Sequence, residues 1–141
     1  MTETERDNFN EKTIKEFRAN GGKVGGWFEG QTLLLLHHKG AKSGTERVNP
    51  LVYQHVGDSY AVFASNGGGP ADPLWLRNLI ANPDTTAEIG AGTVKVRARV
   101  AGPEERASIW SRQTSAMPNF AEYETTAAPR EIPVVLLDPV S

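Results

Sequence analysis

The chain contains no cysteine and no apolar run approaching the roughly twenty residues that cross a bilayer. Without cysteine there are no disulfides, no iron–sulfur cluster and no thiolate nucleophile, and the usual signature of an oxidising compartment is missing. Neither sign of charge is in surplus: fifteen Lys and Arg against seventeen Asp and Glu leave a formal charge of -2. That balance lacks the basic footprint expected of a nucleic-acid binder, so any cation cluster must be local. Residues 1–7 are acidic and carry no apolar stretch, so neither a signal peptide nor a membrane anchor is expected there, and a cytoplasmic location is.

What is present suits one modest domain. At 141 residues a single core is the expectation, here residues 8–141 behind a flexible, solvated tail at 1–7. Asn8-Phe9-Asn10-Glu11 offers a capping pattern for a helix carrying Ile14 and Phe17 and ending at Gly21-Gly22. Its narrow apolar stripe fits a helix lying on the domain surface, or a lid, dimer contact or peripheral membrane contact.

The period then shifts to strands. Residues 32–37 form a continuous apolar run, 47–55 alternate, and 59–64 are β-branched and aromatic, with Gly57-Asp58 marking a tight hairpin. Asp72-Pro73 opens a short helix with Trp75, Leu76, Leu79 and Ile80 on one apolar face, ended by Asn82-Pro83. Residues 85–89 and 93–100 form a second hairpin, the latter strand alternating valine and alanine with Lys95, Arg97 and Arg99. A helix follows from Gly102-Pro103 to about Gln113, then a loop or short helix at 118–123 and a last strand at 132–137. Six strands, mostly in hairpins, do not follow the alternation of a doubly wound sheet. They predict an α+β, mainly β fold: a largely antiparallel, partly closed barrel with peripheral helices.

Two loops carry candidate chemistry. Residues 40–47 resemble a phosphate loop only superficially, because Ala41 stands where a Walker motif requires glycine before the lysine. Small residues, the Ser43 and Thr45 hydroxyls, Lys42 and Arg47 still suit an anion, although an ordinary basic surface turn has the same composition. Residues 65–70, Ser-Asn-Gly-Gly-Gly-Pro, precede a helix start and suit either an anion or electron-rich ring, or a plain flexible connection. His37 and His38 are adjacent on a strand, so their side chains point to opposite faces and cannot chelate a metal together. Gly-x-Ser-x-Gly is absent, leaving hydrolysis without local support. Trp110 reads as core, while residues 117–123, rich in aromatics with a proline, suit one wall of an apolar pocket.

Taken in order, these segments resemble the deazaflavin (coenzyme F420)-dependent nitroreductase and quinone reductase family, within the flavin and deazaflavin oxidoreductases of FMN-binding-like split β-barrel fold. The resemblance rests on the glycine motif at 21–26, Gly40-x-Lys42-Ser43-Gly44-x-x-Arg47-Val48-Asn49-Pro50-Leu51, and Ala64-Ser65-x-Gly67-Gly68. Pro73-x-Trp75-x-x-Asn78-Leu79-x-Ala81-Asn82-Pro83 and Ile132-Pro133-Val134-Val135 complete it.

The resemblance implies a reductase passing hydride from reduced F420 to a small conjugated acceptor, such as a quinone, a coumarin-type lactone or a nitroaromatic. It implies that Lys42, Arg47, Ser43, Gly44 and Thr45 hold the phosphate and the glutamate tail, with His37 nearby. Asn49, Pro50, Leu51, Ser65, Asn66, Leu74, Trp75 and Asn78 would bracket the ring. The acceptor would lie beside Met117, Phe120 and Tyr123, with Ser65 either donating to the oxygen that gains charge or only fixing its loop. Ala41 replaces a cation frequent in relatives, and Met117 and Phe120 replace wall tyrosines. FMN is the alternative cofactor, and a non-catalytic carrier of deazaflavin or another apolar ligand the alternative function. A homodimer is expected because partial barrels leave strand edges to cover.

Overall fold

The computed structural model describes residues 3–25 and 32–140. Its strands are β1 (Leu33–Lys39), β2 (Glu46–Val56), β3 (Ser59–Phe63), β4 (Asp84–Ile89), β5 (Gly92–Val100) and β6 (Val134–Pro139). The helices among these residues are α1 (Glu3–Ala19), α2 (Leu74–Ala81), α3 (Pro103–Ala116) and α4 (Asn119–Ala127). The strands close an antiparallel barrel in the order β1-β2-β3-β6-β5-β4, with β1 returning to β4 through Leu35↔Glu88 and Leu36↔Ala87.

The apolar patterns follow from what covers each strand. β1 reads as a continuous run because both faces are buried: Leu34 and Leu36 point into the barrel, while Leu33 and Leu35 lie under Phe17 and Ile14 of α1. β6 repeats this, with Val135 and Leu137 inside and Val134 and Leu136 beneath Ile109 and Trp110 of α3. β5 has a covered face only toward the barrel, so Val96 is buried while Lys95, Arg97 and Arg99 stand in water. Trp75, Leu76 and Leu79 of α2 join the barrel-interior cluster.

Three expectations are corrected, and the choice between loop and short helix after residue 117 is decided. The stretch 1–7 is no tail throughout, since α1 is already helical from Glu3. The barrel is closed rather than partly closed, which leaves few strand edges. Ile80 is 64% exposed, so the buried face of α2 holds Asn78 in its place. Residues 119–127 form a full helix, whose Phe120 packs edge-on against Phe63 at 5.4 Å. Gly26 of the glycine motif lies outside the described residues.

Candidate active site

The length of β2 creates the site. Residues 46–52 pair with β1 and residues 53–56 with β3, so the first half of β2 has no paired strand on its β3 side among the described residues. Tyr53 donates its N–H to Thr32 O on the β1 side. Alternation then turns the missing N–H of Pro50 toward the free edge, where a proline costs no ladder bond. Between that edge and the loop after β3 lies an open groove of about 910 Å³.

Its lining gathers much of the set anticipated from the sequence: Arg47, Asn49, Pro50 and Leu51 of β2, Ser65 and Asn66 of the loop, Leu74 and Trp75 of α2, and Phe120 and Tyr123 of α4. Asp7, Phe9 and Asn10 of α1 also line it, a contribution that sequence reasoning left open among several roles for that helix. Phe63 and Val52 add apolar floor.

The loop wall is rigid by construction. Asn66 is a non-glycine residue at φ +48° whose side-chain amide donates to Ala71 O at 3.0 Å. Gly68, at φ +79°, is buried against α4, with Thr126 Oγ1 donating to its carbonyl at 3.0 Å and the Tyr123 backbone where a Cβ would sit. Arg130, which nothing in the sequence singled out, reaches from before β6 to bond Ala64 O, Ser65 O, Gly69 O and the Asp72 carboxylate. Ser65 therefore holds the loop through its carbonyl, and its hydroxyl has no partner among the described residues.

The turn between β1 and β2 is exposed and largely self-satisfied. Gly40 N–H donates to Thr45 O, Gly44 N–H to Gly40 O, and Thr45 N–H to Ser43 Oγ. The Gly44 N–H is therefore engaged within the turn, which its φ of +70° closes. Lys42 and Arg47 are exposed and have no carboxylate partner among the described residues.

Besides Lys42, Ser43, Gly44 and Thr45 of this turn, three anticipated residues stand apart from the groove lining. His37 faces away, its ring nitrogens bonded to Glu46 at 2.9 Å and Glu88 at 2.7 Å, beside a separate 210 Å³ pocket. The Glu88 carboxyl is held below the usual range chiefly by the hydrogen bonds of Arg18. Asn78 is buried beneath the turn, bonded to His38 and to Ala41 N–H. Met117 packs between α3 and α4, its sulfur accepting from Gln113 at 3.3 Å. His38 is 2% exposed at the barrel end, with Nε2 2.7 Å from Asn49 Oδ1. Burial pushes its pKa down, and the nearby Arg47 and His37 add to that, while the Asn49 hydrogen bond opposes it.

Comparison with known proteins follows the same lines. The family described as F420H(2)-dependent quinone reductase matches residues 10–139. A candidate F420H(2)-dependent quinone reductase of Mycobacterium tuberculosis is 42% identical over 106 residues, covering 75% of this chain and 88% of its own. A solved F420H2-dependent reductase, FDR-A, superposes with a TM-score of 0.69 at 36% identity over 76% of this chain and 94% of that one. A second solved structure, described as a domain-swapped dimer, gives a TM-score of 0.70 at 32% identity over 97% and 100% of the two chains.

Proposed function

The chain belongs to the F420H(2)-dependent quinone reductase family of oxidoreductases, and on that premise we propose that reduced coenzyme F420 lies along the free edge of β2 and faces a quinone. Coumarin-type lactones and nitroaromatics belong to the same acceptor class, a flat conjugated system whose oxygen gains charge. When bound, the deazaflavin supplies the hydride; the protein supplies binding, orientation and exclusion of water.

The observation that carries this reading is Arg47, an exposed cation without a carboxylate partner among the described residues, at the rim of a groove lined mainly by neutral donors, apolar side chains and rings, whose two carboxylates are Asp7 and the Arg130-paired Asp72. With Lys42 on the adjoining turn it suits a phosphodiester and a row of carboxylates. Leu51, Leu74 and Trp75 suit a planar ring, and the neutral donors Asn49 Nδ2 and Ser65 Oγ suit its oxygens. The donor set therefore fits the family cofactor. Phe120 and Tyr123, 5.3 Å apart edge to face, offer the acceptor an apolar wall. Ser65 Oγ, unengaged by its own loop, would donate to the acceptor oxygen as charge develops. Phe9 and its neighbours on α1 favour a lid over this groove. A homodimer is proposed after the domain-swapped relative, with sedimentation velocity as its check.

The test removes the cations. Lys42→Ala with Arg47→Ala should weaken F420 binding by about tenfold per charge, roughly 1.4 kcal/mol each, and more for longer glutamate tails. FMN, with one phosphate and no tail, should lose less. Fluorescence titrations that superimpose on the unmodified protein's would refute the clamp. Anaerobic oxidation of F420H2 that ignores added menadione would favour a carrier over a reductase.

A further inference from the structure

We infer that Asn78 and His38 are positioning residues which turn the carboxamide of Asn49 so that its N–H donors, not its oxygen, face the groove. The inference rests on the groove reading above for what Asn49 meets: a carbonyl oxygen or deprotonated nitrogen on the edge of a conjugated ring.

The direction of the relay is set by a backbone amide. Ala41 N–H can only donate, and it lies 3.0 Å from Asn78 Oδ1. The other end of the Asn78 carboxamide is therefore Nδ2, which lies 3.0 Å from His38 Nδ1 and donates to it. With its lone pair used on Nδ1, a neutral His38 carries its proton on Nε2, 2.7 Å from Asn49. That atom must be Oδ1, leaving the two Nδ2 protons of Asn49 without a partner among the described residues.

Asn78 and His38 are 1% and 2% exposed, so a broken link leaves a buried polar group without its partner. Lys39, Glu46 and Asp84 border a pocket that His38 also lines, and the groups that bear on its protonation are Arg47, its register partner, and His37 behind it. Both disfavour a second proton, which would also set Nδ1–H against the Asn78 amide protons. The identity of residue 41 is immaterial to this device, because only its N–H is used; alanine serves as well as a cation.

The experiment starts with the ligand-free protein. Long-range nitrogen–proton NMR should show His38 as the Nε2–H tautomer, and the Asn49 side-chain protons should exchange rapidly with water. Asn78→Asp keeps an acceptor for Ala41 N–H but offers His38 a second acceptor, so it should place a proton on Nδ1. Asn49 should then flip, its amide protons becoming protected, and F420 affinity should fall about tenfold or more. His38→Gln, which can present an amide donor near the Nε2 position, should stay within about threefold of the parent affinity, while His38→Leu should lose about tenfold. Thermal melting identifies any variant that fails to fold.

An Nδ1–H tautomer in the parent protein, an Asn78→Asp protein in which Asn49 keeps its orientation, or one with flipped Asn49 and unchanged F420 affinity, would overturn the inference. If the parent shows the Nε2–H tautomer but binds no F420, the groove reading fails while the orientation of Asn49 stands.

Discussion

Replacing Arg130 by methionine should loosen the groove wall that carries Ser65 and Asn66. The guanidinium donates to Ala64 O at 3.1 Å, Ser65 O at 2.9 Å and Gly69 O at 2.8 Å, and its side chain is only 13% exposed. Hydrogen bonds from a charged donor contribute about 1.5–3 kcal/mol each, so three carbonyls set an upper range of about 4–9 kcal/mol. One term reduces it and another adds little. The groove is open, so water can reach part of the vacated carbonyls, and the Asp72 pair at 2.8 Å adds at most about 1 kcal/mol because Asp72 is half exposed. The expected loss is about 3 kcal/mol, which for a chain of this size lowers the melting temperature by roughly 6–12 °C. Arg130→Lys should recover less than half, since one ammonium cannot span three carbonyls and a carboxylate. Thermal unfolding of the ligand-free protein, paired with F420 titration, measures both effects. A methionine variant melting within about 2 °C of the parent, with unchanged affinity, would show that the loop is held by its own turn bonds, Gly68 N–H to Ser65 O and Gly69 N–H to Asn66 O.

Two further outcomes follow from local geometry. Gly68→Ala forces a Cβ onto Thr126 and Tyr123 at φ +79°; it should cost about 1–3 kcal/mol and, by displacing α4, raise the KM for quinone more than that for F420H2, as steady-state kinetics would show. Arg18→Ala removes the 2.7 Å and 3.0 Å bonds that lower the Glu88 pKa. A depressed carboxylate pKa stabilises the fold above the unfolded value, near 4.5, and this contribution disappears as pH falls through the folded value. The variant should therefore be about 0.5 kcal/mol less stable at pH 7, a small figure because Arg18 is half exposed. The difference should vanish below the carboxylate range; urea unfolding that shows the same gap at pH 7 and in acid would contradict the assignment.

Much of the architecture was legible before any coordinates. The apolar run of β1, the alternation of β5 and the glycine turns at 57 and 90 each report a local rule, namely how many faces are covered and where φ must be positive. Ile80 misled because a short helix shows its periodicity over barely two turns, too few to reveal that the inward position belongs to Asn78. The start of α1 at Glu3 escaped because a polar first turn looks the same in sequence whether helical or not. Arg130 gave no signal at all: its partners at Ala64, Ser65 and Gly69 are backbone carbonyls, which every sequence possesses.

The site divides in the same way. Arg47, the Ser65 loop, Phe120 and Tyr123 could be singled out from residue type, because cations, small-residue loops and aromatics carry their chemistry locally, whereas Asn49 and Trp75 could be named only through the family resemblance. Their meeting in one groove was decided only by β2 outrunning β3, a matter of strand length and register. Tertiary structure also sent neighbours to different fates. His37 is occupied by two carboxylates on one side of β1, while His38 is buried on the other between two asparagines. Alternation along the strand required them to part. Which of the two would serve the groove depended on residues forty and more positions away, whose arrival is a property of packing and not of local sequence.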